Sequence, residues 1–209
     1  HEACCGEREP ETKGATIREI QHRVKKKLRT VSALWRPESR RIGERAARTV
    51  LEEAVRRIGS IARVHETLSG SAEETVAVDD VLDRLVANAR ELSPRVNAIK
   101  IGREGKVGSL EPRLATPLAL VVTELIHNAL DHGLASRGDS LRIVVRRDEF
   151  ECLIQIFDNG EGLPDEFDLG ISSNLGLQIV RTLTENELRG ELALVSEVVG
   201  TSAQVKFPL

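Results

Sequence analysis

The sequence predicts an α+β chain: an N-terminal antiparallel helical hairpin followed by an α/β domain. Three observations carry that expectation. Apolar residues fall three and four apart in two consecutive N-terminal segments. A third amphipathic stripe runs from Thr116 to Leu130, and behind it Leu141–Val145 and Cys152–Ile156 alternate as strands do.

The hairpin comes first, over residues 16–69, after a Glu-, Gly- and Cys-rich stretch (1–15) that reads as a linker or an expression scar. Its first helix carries Ile17, Ile20, Val24, Leu28, Val31 and Leu34. Its second carries Ala47, Leu51, Ala54, Ile58, Ile61, His65 and Leu68. Val50, Val55 and Val64 fall outside the second stripe, so the hairpin has more apolar surface than one partner helix covers. Pairing two hairpins into a four-helix bundle covers it, which predicts a homodimer.

The domain expected over 70–209 opens its informative part with the helix Thr116–Leu130. Leu118, Val121, Val122, Leu125, Ile126 and Ala129 form the buried stripe, and Glu124, Asn128 and Asp131 recur on another face. A carboxylate and an amide oxygen one turn apart can hold a hydrated magnesium ion, with Asn128 as ligand and Glu124 as proton acceptor. The alternative is that they are the solvated side of the helix. Two strands follow, with Arg146–Glu149 as the turn between them and Asp158 at the end of the second. A carboxylate at a pocket floor accepts a hydrogen bond from an exocyclic amine such as that of adenine. Gly160 and Gly162 let the backbone pass close to a ligand, although DNG alone also reads as an ordinary turn. After a polar stretch, 165–174, Gly176 opens a helix whose free amides can face phosphate oxygens, and Gly200 and Thr201 start the last strand.

ELIHNALDHG (124–133), DNGEGLP (158–164), LGLQIV (175–180) and GTS (200–202) resemble, in that order, the N, G1, G2 and G3 boxes of the GHKL, or Bergerat-type, ATPase superfamily. That superfamily includes gyrase, the heat-shock chaperone of the same fold, the MutL repair proteins and the sensor histidine kinases. The resemblance covers roughly 73–209 and implies an α/β sandwich with ATP between a helical layer and a mixed sheet. It implies nucleotide contacts by Asn128, Asp131, His132, Asp158, Gly160, Gly162, Leu175, Gly176, Leu177 and Thr201. Asn128 would ligate Mg2+, with Glu124 reaching it through water; Asp158 would read adenine; Thr201 would support the adenine end. Residues 163–174 would form a short ATP lid, which fits kinases better than the larger relatives.

His22 lies off the first helical seam, two residues past Ile20, so its ring points to solvent. A near-neutral imidazole offers a nitrogen lone pair to phosphorus, and Glu19, one turn before, can orient the ring or take its proton. The segment IQHRVKKKLRTVSALWRPESRR (20–41) resembles the phosphoacceptor box of bacterial histidine kinases whose pattern runs HRVKNNLQ, followed by a helix ending in VHETL (64–68). Three departures stand out. Lys26 and Lys27 replace two asparagines, Arg29 replaces a glutamine, and Pro37 interrupts the first helix. A lysine at 26 offers charge in place of an amide, and Pro37 kinks or ends its helix, at about 3 kcal/mol if the helix runs through it.

Composition bounds the rest. At 209 residues with net charge −3 and four Phe, one Trp and no Tyr, the chain lacks the aromatics for base stacking, so the basic run 23–29 does not predict direct nucleic-acid binding. No apolar run approaches a membrane span, and neither a signal peptide nor an internal repeat is visible, which predicts a cytoplasmic chain without membrane contact. The absence of Met suggests a fragment from which an upstream sensor is missing. Cys152 on an alternating strand reads as a small buried residue, Cys4 and Cys5 lack zinc-site spacing, and His65 reads as packed. His127 and His132 flank the polar helix face, with His132 structural or phosphate-adjacent.

Together these readings predict the core of a two-component sensor histidine kinase. MgATP would phosphorylate His22, which would then pass the group to an aspartate of a response regulator. Two alternatives stand beside it: an ATP-binding dimeric scaffold with little kinase activity, motivated by Lys26, Lys27 and Pro37, and an anti-sigma-type serine kinase with the same ATP fold.

Overall fold

A computed structural model describes residues 75–92, 99–169 and 175–209, together with Gly59. The described elements belong to the second of the two units into which the chain divides, Glu74–Leu209. The expected hairpin, with His22, Glu19, Lys26, Lys27 and Pro37, otherwise lies outside the described residues, as do Cys4, Cys5, His65 and the lid residues 170–174.

The described chain opens on β1 (Val76–Ala77), α1 (Val78–Leu92), β2 (Lys100–Glu104) and β3 (Ser109–Leu110). It continues through α2 (Pro112–Asn128), β4 (Ser140–Arg147), β5 (Glu151–Asp158), α3 (Leu175–Thr182), β6 (Glu191–Ser196) and β7 (Thr201–Pro208). β1 and β3 form a short antiparallel ribbon, while the main sheet has the order β2-β4-β5-β7-β6, parallel only between β2 and β4. This is the expected α/β layering with a mixed sheet.

The sheet's inner face follows from strict alternation. Leu141, Ile143 and Val145 of β4, Cys152, Ile154 and Ile156 of β5, and Ala203, Val205 and Phe207 of β7 are all buried. Leu118, Val121, Val122, Leu125 and Ile126 of α2 supply the helical wall of the core, as their spacing predicts. Each such side chain contributes about 1.5–3 kcal/mol when fully buried.

Two boundaries differ from expectation. The turn between β4 and β5 is Asp148–Phe150, not 146–149: Arg146 and Arg147 stay in register opposite Leu153 and Cys152. The Asp148 carboxylate stops the strand by accepting the amides of Phe150 (2.8 Å) and Glu151 (2.9 Å), an Asx turn that also lowers its pKa. α2 starts at Pro112, whose fixed φ suits the first helical position, and keeps Pro117 inside at the loss of one ladder bond. At its other end the helix widens into a π turn, Ala129–Gly133, in which the Leu134 amide donates to the Ala129 carbonyl at 2.7 Å. A second π turn, Leu183–Glu187, follows α3.

α1 and β2, which the sequence reading did not anticipate, are joined by charge. Asp79 accepts the amides of Val107 (3.0 Å) and Gly108 (2.9 Å) and an N–H of Arg103 (2.9 Å). Arg103 also bonds Asp83 at 2.8 and 3.1 Å, and that pairing, ahead of Asp79, raises its pKa. Among the described residues no helix is long and apolar enough to cross a membrane.

Candidate functional site

A cavity of about 480 Å³ opens where the end of α2 and its π turn meet β5, β7 and the start of α3. Of the residues singled out in the sequence, Asn128, Asp131, His132, Asp158, Gly162, Leu177 and Thr201 line it. Leu125, Ala129, Ile156, Leu163, Phe167, Leu194 and Ala203 supply apolar wall, and Gly133, Ala135, Glu161 and Pro164 complete it.

Asp158 sits at this wall because it is next in the alternation that buries Cys152, Ile154 and Ile156, and it is only 7% exposed. Burial raises its pKa, and the amides of Gly160 and Thr201, which donate to its carboxylate, oppose the rise without cancelling it. The Gly160 bond to Oδ1 measures 3.0 Å.

Three glycines pack around Asp158, Gly133 and Gly160 at its carboxylate and Gly200 at its main chain. A Cβ on Gly133 would lie 2.7 Å from the Asp158 Cγ, and one on Gly200, at φ +84°, would lie 1.9 Å from the Asp158 carbonyl oxygen. A Cβ on Gly160 would lie 1.7 Å from the Gly133 carbonyl oxygen, which accepts the Glu161 amide at 3.0 Å. Gly160 therefore serves backbone packing behind the cavity and does not line it. Gly162 does line it, at φ +82°, and the Leu163 amide beyond it donates to Ser196 Oγ at 3.2 Å. That bond ties the root of the expected lid to the end of β6, and of the lid itself Leu163, Pro164 and Phe167 reach the cavity.

The polar residues of α2 do not share one environment, contrary to the expectation of a common face. Glu124 is 5% exposed and outside the lining, Asn128 is half-buried within it, and Asp131, carried round by the π turn, is exposed at its edge with His132. Glu124 borders the apolar stripe, which is why it is buried with Val121 and Leu125. Gly176 is buried near the start of α3 and outside the lining; Leu175 opens that helix, and Leu177 reaches the cavity. Cys152 is buried as expected, its thiol pushed up to about 11 by desolvation.

Two features bear on what the cavity can hold. The Nδ2 of Asn128 is buried with no hydrogen-bond partner, so this side-chain amide has unused bonding capacity at the cavity wall. The described lining carries Asp131, Asp158 and Glu161 but no Lys or Arg, so a polyanion bound here needs a cation or backbone amides to balance it. Among the described residues no group of three His, Cys, Asp or Glu side chains could hold a metal by itself. An amide oxygen, water and ligand phosphates are the donor set that magnesium prefers. Both groups, an adenine nucleotide and its magnesium, fit the residues present.

Comparison with known proteins shows the families that the sequence and the fold resemble. Residues 19–93 match a family model described as "Histidine kinase", and residues 114–209 match one described as "Histidine kinase-, DNA gyrase B-, and HSP90-like ATPase". The chain is 43% identical over 201 residues to the sensor histidine kinase PdtaS of Mycobacterium tuberculosis, covering 95% of this chain and 40% of that protein. It is 26% identical over 201 residues to blue-light-activated histidine kinase 2 of Erythrobacter litoralis, covering 92% of this chain and 57% of that one. It shares its fold, at a TM-score of 0.68 and 20% identity, with the histidine kinase domain of the Erythrobacter litoralis EL346 kinase, covering 90% of this chain and 96% of that one. The chain thus spans about 40% of the length of the PdtaS relatives it matches.

Proposed function

The chain belongs to the histidine kinase family, and on that premise we propose that it is the core of a two-component sensor kinase. It binds MgATP, transfers the γ-phosphoryl group to His22 and hands it on to an aspartate of a response regulator. The observation that carries the reading is the buried Asp158 carboxylate at the wall of a largely apolar cavity whose rim holds the unpartnered amide of Asn128.

Asp158 accepts the exocyclic amine of adenine, with Ile156, Leu194 and Ala203 against the ring and Thr201 beside the adenine end. Asn128 would hold magnesium through its side-chain oxygen, and Glu124, one turn earlier and buried behind the lining, would act on that ion through water. A magnesium ion held there would neutralise phosphate charge that the described lining, lacking Lys and Arg, does not. Asp131 and His132 would lie on the phosphate side with the start of α3, around Leu175, Gly176 and Leu177, where the positive end of a helix favours an anion.

In the transfer a ring nitrogen of His22 bonds to the γ-phosphorus while the bond from that phosphorus to the bridging oxygen breaks, and ADP leaves with the electron pair. Glu19 orients the imidazole or takes its proton. In the second step a carboxylate oxygen of the regulator bonds to the phosphorus while the bond from phosphorus to the ring nitrogen breaks, and His22, with its proton returned, leaves as neutral imidazole. Residues 16–69 form the dimerising hairpin that carries His22, residues 70–209 the catalytic domain, and the kinase acts as a homodimer in the cytoplasm, where ATP is supplied.

The family match over 19–93 supports this reading over a serine kinase, which needs no phosphoacceptor hairpin. Incubation with γ-labelled MgATP tests it: the chain should take up label that survives alkali and is lost in acid, as a phosphoramidate is.

A further inference from the structure

Asn159 does not line the cavity, yet its side chain is bonded at both ends. Its Oδ1 accepts the amides of Asp139 (3.0 Å) and Ser140 (2.8 Å), and its Nδ2 donates to the Asp139 carboxylate at 3.0 Å. Its own amide donates to the Ser140 carbonyl at 3.2 Å. The segment it grips is the entry to β4. Just before that entry, Gly138 at φ +85° leaves room for it: a Cβ there would lie 2.7 Å from the Asn159 carbonyl oxygen and 2.8 Å from Oδ1.

Asp158 and Asn159 are consecutive: Asp158 lines the cavity and Asn159 makes this clamp. Beyond β5 the ladder has ended, and the backbone after Asp158 is held by the Asn159 clamp together with the Gly160 amide on Asp158 Oδ1 and the Glu161 amide on the Gly133 carbonyl. A planar amide is suited to this, because it presents an acceptor to two amides and a donor to a carboxylate at once.

We propose that Asn159 is a positioning residue: by clamping to Asp139 and Ser140 it sets the place of the Asp158 carboxylate and thereby the preference of the cavity for adenine over guanine. The inference rests on the reading that Asp158 accepts the adenine amine. Guanine presents a carbonyl oxygen where adenine presents that amine, so a carboxylate held in place repels it. A carboxylate free to shift loses part of that discrimination.

The test is calorimetric titration of the full chain with MgATP and MgGTP. Asn159→Ala and Asn159→Asp should each weaken ATP binding about tenfold and narrow the ATP-to-GTP ratio, since the clamp's hydrogen bonds are lost or set against a like charge. The exchange Asp139→Asn with Asn159→Asp puts donor and acceptor back with their positions reversed, and should restore both affinity and ratio. A wild-type ratio in Asn159→Asp, or an exchange variant no better than Asn159→Asp alone, overturns the proposal. The exchange pair decides even if Asn159→Ala does not fold. Asp158→Asn, titrated alongside, separates the two layers: if it keeps full ATP affinity, the adenine reading itself fails; if it loses affinity while the Asn159 variants do not, only the positioning role fails.

Discussion

Gly133 and Asp158 are in contact across the cavity wall: a Cβ on the glycine would stand 2.7 Å from the Asp158 Cγ and 2.7 and 2.8 Å from its two oxygens. The π turn that ends α2 brings the glycine there, so the helix that carries Asn128 also packs directly against the carboxylate of β5. The two conspicuous motifs of the sequence are thus halves of one contact.

Gly133→Ala should therefore displace the Asp158 carboxylate. Overpacking of this kind costs about 1–3 kcal/mol of stability. ATP affinity should fall by about 10- to 100-fold, since a hydrogen bond to a charged group contributes about 1.5–3 kcal/mol. Thermal unfolding and calorimetric titration read the two separately.

The raised pKa of Asp158 gives opposite pH trends for binding and stability. Between the ordinary carboxylate pKa and the raised one, the folded chain holds more proton than the unfolded chain, so this group's contribution to stability declines as pH rises through that window. Adenine needs the ionised form, so ATP affinity should instead decline as pH falls through the raised pKa. Asp158→Asn should weaken ATP binding without unfolding the domain and should flatten both trends. Titrations and melting curves from about pH 4 to about pH 8 would show it.

Asn128→Ala should abolish the gain in ATP affinity that magnesium confers and leave binding in excess chelator unchanged. Its unfolding midpoint should not fall, because the variant removes an unpaired buried N–H. A loss of affinity equal with and without magnesium would place Asn128 on the nucleotide and not on the ion.

Asp79→Ala serves as the contrast. It leaves the amides of Val107 and Gly108 and one N–H of Arg103 without their acceptor, at a cost of about 1–3 kcal/mol. The variant should melt earlier and bind ATP as the wild type does, because none of these groups lines the cavity.

What the sequence made legible was whatever depends on period. Alternation along β5 locates Asp158, and the stripe of α2 locates Asn128 at its edge. Short elements of mixed polarity escaped: β1 and β3 have two residues each, and β2 reads as polar because Lys100, Gly102 and Glu104 face outward. The π turn escaped because a five-residue hydrogen bond leaves no apolar signature, and with it the divergence of buried Glu124 from exposed Asp131. The wall from Leu194 and Ala203, and the clamp at Asn159, depend on contacts between strands and loops far apart in sequence. Gly160 shows a second reason for a glycine there, the neighbouring Gly133 carbonyl, which depends on a contact between distant segments.

The central claim is that phosphate from this cavity goes to His22. The direct measurement is mass-spectrometric mapping, under alkaline conditions, of the residue phosphorylated after incubation with MgATP, in the wild type and in His22→Gln. Phosphate on His22 and none in His22→Gln is the expected result; phosphate retained by His22→Gln, or found on a serine, would contradict it.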